Sequence, residues 1–196
     1  MKNAFFRFAL AALALLVSSC SMLQKKIDPN EYQSTGSGFR FKFAMTGEWY
    51  AGQGNKGLYM VGQKSSSDGT TKLAIVRHGP IWTGGGKPMT NREILDGFRK
   101  DLEKEAQGGR VSKVKSEFNQ KKYKDADCIY FEQSGEDSPA QGPMSMNNDG
   151  LICLHPKHKY QFVWLAITER RPLGKPVSES FAEDKKRLFE SLDFLD

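Results

Sequence analysis

Two histidines, His155 and His158, have a spacing that could serve a metal ion. They lie in the segment HPKH, and imidazole nitrogen is a common ligand of zinc and copper. Met144 and Met146 precede them, and thioether sulfur suits copper(I). Pro156 predicts a turn, where the helical face that would aim both imidazoles at one ion is missing. The sequence therefore predicts no metal and no cofactor, with metal handling by His155 and His158 as the alternative.

The other candidates for catalysis lack the neighbours that known reactions need. The run GGGK at 84–87 has no glycine at the required earlier position, and Pro88 stands where a phosphate-binding loop has Ser or Thr. No GxSxG motif marks a serine nucleophile. We therefore expect a protein that is not an enzyme, and an enzyme using His155 and His158 is the competing class.

Cys20 ends an N-terminal segment that has three parts. Lys2 and Arg7 are basic, residues 8–17 are apolar, and two small serines precede the cysteine. This order is typical of a secretory signal peptide. The apolar part is about ten residues long, whereas a permanent transmembrane helix needs about twenty.

The sequence VSSC at 17–20 resembles the lipobox of bacterial lipoproteins. The resemblance implies that residues 1–19 are removed and that Cys20 receives a diacylglycerol and then an amide-linked chain such as palmitate. Two or three acyl chains hold a protein stably on a membrane. Ser21 stands where the inner-membrane retention signal has aspartate, so we expect an envelope protein on the outer membrane, facing the periplasm. An ordinary thiol in a cleaved signal is the alternative.

Charge and composition indicate which partners the chain can bind and where its tether and its folded domain lie. The whole sequence has 29 basic and 23 acidic side chains, and its basic pairs are separated by acidic residues, so we expect no nucleic-acid binding. Residues 20–37 are polar and predict a lipidated tether. Residues 38–196 are enough for one globular domain. The membrane is the expected lipid partner, and no residue pattern identifies a protein partner.

Cys128 and Cys153 are the remaining thiols, in the strand-like runs DCIYFEQ and GLICLH. If these runs form an antiparallel hairpin centred near residues 140 and 141, the two cysteines face one another. Exported proteins tend to bridge paired cysteines, so a disulfide is one prediction. Two small buried thiols are the other.

Hydrophobic periodicity predicts strands and two helices. Thr90 and Glu93 fit a capping box that starts a helix, and its apolar residues recur every fourth position to Ala106. A second helix is predicted from about Ser178 to Leu192. Alternating or continuous apolar residues predict strands in GFRFKFA, GLYMVGQ, KLAIVRH, RVSKVKSEF, ADCIYFEQS, GLICLH and YQFVWLAIT.

Both alternating sets of YQFVWLAIT are apolar, which predicts a strand covered on both faces and therefore helices on each side of its sheet. The order of elements, with the opening GFRFKFAMTGEW and the closing FAEDKKRLFESLDF, resembles the PsbP-like fold. The resemblance implies an α/β (α+β) fold, an α/β/α sandwich with a mostly antiparallel central sheet flanked by helices, and non-enzymatic binding or assembly roles.

Ile81 and Trp82 are the candidate contact residues. Trp82 precedes three glycines, where a packed element is difficult to form, and exposed aromatic residues often anchor a partner. The alternative is a loop that folds back over the edge of the sheet.

Overall fold

The computed structural model describes residues 25–52, 57–82, 88–108, 111–138 and 142–196. Cys20 and the predicted signal peptide lie outside these residues. The described chain forms two antiparallel sheets and two helices. Helix α1 spans Asn91–Gly108 and helix α2 spans Glu179–Glu190. The strands are β1 (Lys25–Lys26), β2 (Tyr32–Ser34), β3 (Phe39–Lys42), β4 (Tyr50–Ala51), β5 (Leu58–Gly62), β6 (Thr71–Pro80), β7 (Val111–Tyr123), β8 (Ala126–Asp137), β9 (Met144–Leu154), β10 (Gln161–Pro172) and β11 (Asp193–Phe194).

The larger sheet has eight strands in the order β1-β4-β5-β6-β10-β9-β8-β7. Its five long strands pair along nearly their whole length, with Gln161 of β10 opposite Pro80 of β6 and Phe162 opposite Leu154 of β9. We call the end that carries these residues the upper end. The lower end carries Thr71 and Pro172, where β6 begins and β10 finishes.

The three-stranded sheet, in the order β11-β3-β2, covers one face of the larger sheet together with α2. Phe39 and Phe41 of β3 are fully buried there, beside Phe181 and Leu188 of α2. Helix α1 covers the opposite face through Ile94, Leu95 and Leu102. Successive residues of β10 enter the two cores alternately, which explains why both of its residue sets are apolar.

The predicted fold class, an α/β sandwich with flanking helices, is wrong. Strand accounts for 48% and helix for 18% of the structure, so the fold is dominated by sheet. The segment GFRFKFA was predicted as a strand of a fold with one central sheet, but β3 instead belongs to a second sheet that buries much of one face of the larger sheet. Alternation shows that a strand buries one side, and it does not show which sheet the strand joins.

Part of the segment predicted as a tether is folded. Lys25 and Lys26 pair with β4, and the amide of Ile27 donates to the Trp49 carbonyl at 2.8 Å. The strand β2 then pairs with β3. The described fold therefore includes strands within residues 25–37, which were predicted as tether.

Candidate functional site

His155 is buried, and both nitrogens of its ring have backbone partners. The amides of Lys157 and His158 donate to Nδ1 at 3.1 and 3.0 Å. Nδ1 is therefore an acceptor, so the ring proton lies on Nε2, which is 3.1 Å from the carbonyl oxygens of Gly38 and Leu195. Burial lowers the pKa of His155, which favours this neutral form. The ring has no nitrogen lone pair left for a metal ion.

The methionines of the metal-handling alternative lie apart from His155, and His158 lies beside it on the surface. Met146 is near the start of β9 and His155 follows its end, so about 30 Å of extended strand separates them. His158 is exposed, with its ring centroid 4.3 Å from that of His155. Within the described ranges, no three His, Cys, Asp or Glu side chains form a group that could hold a metal. The geometry gives the metal-handling alternative no support.

The contacts of His155 hold the C-terminus against β3. Its ring centroid lies 5.1 Å from that of Phe39 and 5.7 Å from that of Phe194. The amide of Leu195 donates to the carbonyl of Gly38 at 2.8 Å. His155 therefore joins the small sheet to the end of β9, a structural role that the HPKH motif does not reveal.

A buried ion cluster, formed by Lys72, Glu169 and Asp184, is a set of polar residues that sequence reasoning missed. Lys72 Nζ is 3.1 Å from Asp184 Oδ2 and 3.9 Å from Glu169 Oε2. Both carboxylates are fully buried and Lys72 is 8% exposed. The sequence signals are Lys72 on the same strand face as buried Ala74, and Asp184 among the buried positions of α2.

The ion cluster includes a lysine–serine contact, because Lys72 Nζ also donates to Ser180 Oγ. Such a pair can activate a hydroxyl nucleophile where the amine accepts a proton. Here the ammonium is the counter-ion of two buried carboxylates. Glu169 in turn accepts hydrogen bonds from the amide of Ser178, at 3.0 Å, and from its hydroxyl group. The cluster thus fixes the start of α2 on the sheet and serves the fold.

Glu105, near the end of α1, is a carboxyl group with an altered acidity. Its Oε1 is buried, and the described residues offer that atom no hydrogen-bond partner. Burial raises the pKa of Glu105 to about 7; the Asp101 carboxylate adds to the rise and the Arg77 guanidinium opposes it. Burial also raises the pKa of Asp101, against the effect of Lys104. We therefore expect the stability of this end of the helix to depend on pH.

Glu105→Gln is expected to remove a pH dependence of stability. Between its ordinary pKa of 4.5 and about 7, the folded protein retains a proton that the unfolded chain releases. The free energy of unfolding of the wild type should therefore fall as pH rises through this window, by about 1 to 2 kcal/mol after allowance for solvent screening. Chemical denaturation at pH 5 and pH 8 measures the difference.

The matched control for this prediction is Glu103→Gln, which removes the same charge from the same helix. The Glu103 side chain is 45% accessible, and the side chain of Arg99, its partner one turn away, is 43% accessible. This control should follow the wild-type pH dependence. Parallel curves for the wild type and Glu105→Gln would contradict the prediction.

Cys128 and Cys153 lie directly opposite one another on β8 and β9, and their sulfur atoms form a disulfide. Both residues are buried in the core on the α2 side of the sheet, with 1% and 0% exposure. The bond links the two strands of an antiparallel hairpin in which Cys128 faces Cys153, the pairing that the sequence analysis considered. It contributes to the core rather than to a reactive surface.

Ile81 and Trp82 differ in their surroundings. The amide of Ile81 donates to the carbonyl of Tyr160 at 2.6 Å, and the Ile81 side chain packs against the core on the α1 side. Trp82 is 71% exposed, whereas Trp49 and Trp164 are 2% and 5% exposed. Of the two candidate contact residues, only Trp82 presents a large apolar surface to solvent.

An open cleft of about 350 Å³ lies between the start of α1 and β7. Lys122 and Asp127 form an ion pair of 2.8 Å there, and Asn91 also donates to Asp127. The ion pair joins β7 to β8, and the Asn91 hydrogen bond joins the helix to the sheet. The lining residues are Arg92, Leu95, Gln120, Lys121, Lys122, Asp127 and Cys128.

In the part of the chain that the structure describes, neither helix is long and apolar enough to cross a bilayer.

Comparison with known proteins shows no family. No family model matches the chain, and no curated protein matches it. The structure is similar to the crystal structure of human STARD10 with a TM-score of 0.32 and 12% sequence identity, over 72% of this chain and 67% of that one. A similarity at this level carries no argument about function.

Proposed function

We propose that this chain is a lipid-anchored lipoprotein of the bacterial cell envelope that acts as a non-catalytic binding or assembly factor. The observation that carries the proposal is the position of Cys20. It ends the signal-like segment in the lipobox-like sequence VSSC, and the first described strand begins at Lys25, five residues later. A cut before Cys20 would remove no part of the described fold.

The short connection sets how far the body lies from the membrane. A fully extended chain spans at most about 3.5 Å per residue, so Lys25 lies within about 17 Å of an acylated Cys20. A tether that ran to residue 37 would allow more than three times this distance. The body is therefore held at the bilayer surface, and a protein partner must come to that surface.

The non-catalytic part of the proposal is supported by the partners of the reactive side chains. Both ring nitrogens of His155 meet backbone groups, and Lys72 is held between two buried carboxylates. His78 Nδ1 lies 3.0 Å from the Ser37 hydroxyl oxygen, and burial lowers the pKa of this histidine. These groups stabilise the fold.

The disulfide and the residue after Cys20 support the location. A bridge between Cys128 and Cys153 suits an oxidising compartment such as the periplasm. Ser21 in place of aspartate favours the outer membrane of a cell with two membranes. The proposed position is the periplasmic face of that membrane.

Metabolic labelling with a fatty-acid analogue tests the anchor. The wild type expressed in a bacterium should incorporate the label and fractionate with membranes, because acylation supplies its attachment. Cys20→Ala should lose the label and its membrane attachment. Equal labelling of both proteins, or recovery of the wild type in the aqueous fraction with an unmodified first residue, would refute the proposal.

A further inference from the structure

We propose that Trp82 inserts into the interfacial region of the bilayer that carries the anchor, so that the upper end of the larger sheet faces the membrane. This inference rests on the proposed lipid anchor and adds a second, non-covalent contact. The partner that contacts Trp82 in this proposal is the phospholipid surface.

The exposure and chemistry of Trp82 fit a membrane interface. At 71%, it is the most exposed large apolar side chain in the described part of the protein. The indole ring has a broad apolar body and one polar N–H group, and tryptophan is enriched where membranes meet water. Insertion would remove the exposed surface of the indole ring from water.

The backbone beside Trp82 is fixed at the upper end. Trp82 follows Pro80, the last residue of β6, and the preceding residue Ile81 is bonded to Tyr160 and packs into the core. Lys159, next to Tyr160, is exposed and can meet lipid phosphate groups. The indole ring and this ammonium group thus belong to the same end of the sheet.

The direction of β1 favours an anchor at this same end. Lys25 pairs with Ala51, Ala51 with Val61, and Val61 with Ala74 of β6. Because every pairing is antiparallel, β1 runs from the upper end toward the lower end, and the chain enters Lys25 from the upper side. From Ala74 to Pro80 the strand rises about 20 Å, close to the reach of about 17 Å between Lys25 and Cys20.

The lower end offers a weaker candidate surface. Leu173 and Val177, in the connection from β10 to α2, are 44% and 37% exposed. The chain does not enter β1 from that side, and neither residue has an aromatic ring. Leu173 therefore gives a matched reporter position at the end that should face away from the membrane.

Tryptophan quenching by brominated lipids tests the orientation. The mature chain from Cys20 is coupled through that thiol to a maleimide phospholipid, in vesicles of phosphatidylethanolamine and phosphatidylglycerol with brominated acyl chains. The disulfide leaves Cys20 as the thiol that reacts. Since Trp82 is one of three tryptophans and the other two are buried, the wild type should lose about a third of its emission.

Two variants complete the test. Trp82→Phe should show almost no quenching, and Trp82→Phe with Leu173→Trp should also stay unquenched, because its reporter lies at the lower end. Quenching of the Leu173→Trp reporter would overturn the orientation. An unquenched wild type that floats with the vesicles would overturn insertion and favour a protein as the occupant. Since the lipid is attached chemically, either failure leaves the anchor to be judged by fatty-acid labelling.

Discussion

Asp184→Ala is expected to lower the free energy of unfolding by about 3 to 5 kcal/mol. Asp184 is fully buried, and its Oδ2 lies 3.1 Å from Lys72 Nζ. Its Oδ1 accepts hydrogen bonds from the amide and the hydroxyl of Thr46 at 2.6 and 2.7 Å. The variant would leave a buried ammonium with the Glu169 carboxylate and the Ser180 hydroxyl beside it, and would leave the Thr46 amide without its acceptor.

Thermal and chemical denaturation measure the effect of Asp184→Ala. For a domain of this size, 1 kcal/mol corresponds to a change in Tm of about 2 to 4 °C, so the Tm should fall by roughly 10 °C. Because α2 is attached through this contact, near-ultraviolet circular dichroism should report loosened packing of the small sheet as well.

Glu183→Ala is the matched control, since it removes a carboxylate from the preceding position of the same helix. Glu183 forms a surface pair with Arg187 at 2.7 Å, and both side chains are nearly half exposed. Such an exposed pair contributes little to stability because water and salt screen it, so Glu183→Ala should stay close to the wild type. A variant at Asp184 that is as stable as the variant at Glu183 would show that the buried ion cluster has no net role.

A second control separates loss of the ion pair from loss of the hydrogen bonds to Thr46. Lys72→Met combined with Asp184→Leu replaces two of the three buried charges with apolar side chains. This double variant should recover part of the stability that Asp184→Ala loses, because the lysine ammonium is gone and the remaining carboxylate, Glu169, keeps its hydrogen bonds from Ser178 and lies 3.8 Å from Arg171 Nη1. The lost acceptor of the Thr46 amide should keep it below the wild type.

The local elements of this protein are predictable from its sequence because the signals lie within a few residues. Thr90 and Glu93 predict the start of α1, and the capping box is confirmed: the Glu93 carboxylate accepts from the amide of Thr90 at 2.8 Å. The alternating run KLAIVRH predicts a strand that the structure extends to Thr71–Pro80. Caps and periodicity depend on neighbours along the chain.

The assembly of these elements was less predictable, because it depends on contacts distant in sequence. The aromatic strand β3 pairs with β11, whose Asp193 and Phe194 are near the C-terminus. The strand β11 has only two residues, which is too short to show a hydrophobic period. The sequence near it therefore gives no sign of the second sheet. The prediction of flanking helices was therefore incomplete, because on one face of the larger sheet the three-stranded sheet buries part of the surface that was assigned to helices.

The roles of individual polar residues were predictable to different degrees. The HPKH motif marks His155, but its partners Gly38 and Leu195 lie 117 and 40 residues away along the chain. Lys72 and Asp184 each occupy a position whose neighbours on the same face are buried, which is a usable signal for a buried pair. Their pairing with one another cannot be read from either segment alone.

Replacing both Cys128 and Cys153 with alanine is expected to lower the free energy of unfolding by about 3 kcal/mol. The disulfide closes a loop with a sequence separation of 25, which restricts the unfolded chain. Guanidinium denaturation of the oxidised wild type and of the double variant, without reductant, gives the difference. The Tm of the double variant should be lower by roughly 6 to 12 °C.

Reduction and thiol counting provide the controls for the disulfide prediction. Unfolded without reductant, the mature chain with a free Cys20 should react with one equivalent of a thiol reagent, and with three after reduction, matching the three cysteines of the sequence. Because both sulfur atoms are buried, reductant should act on the native protein only through unfolding. The reduced wild type should then unfold near the midpoint of the double variant. Three reactive thiols before reduction, or equal midpoints for the oxidised wild type and the double variant, would contradict a stabilising bridge between β8 and β9.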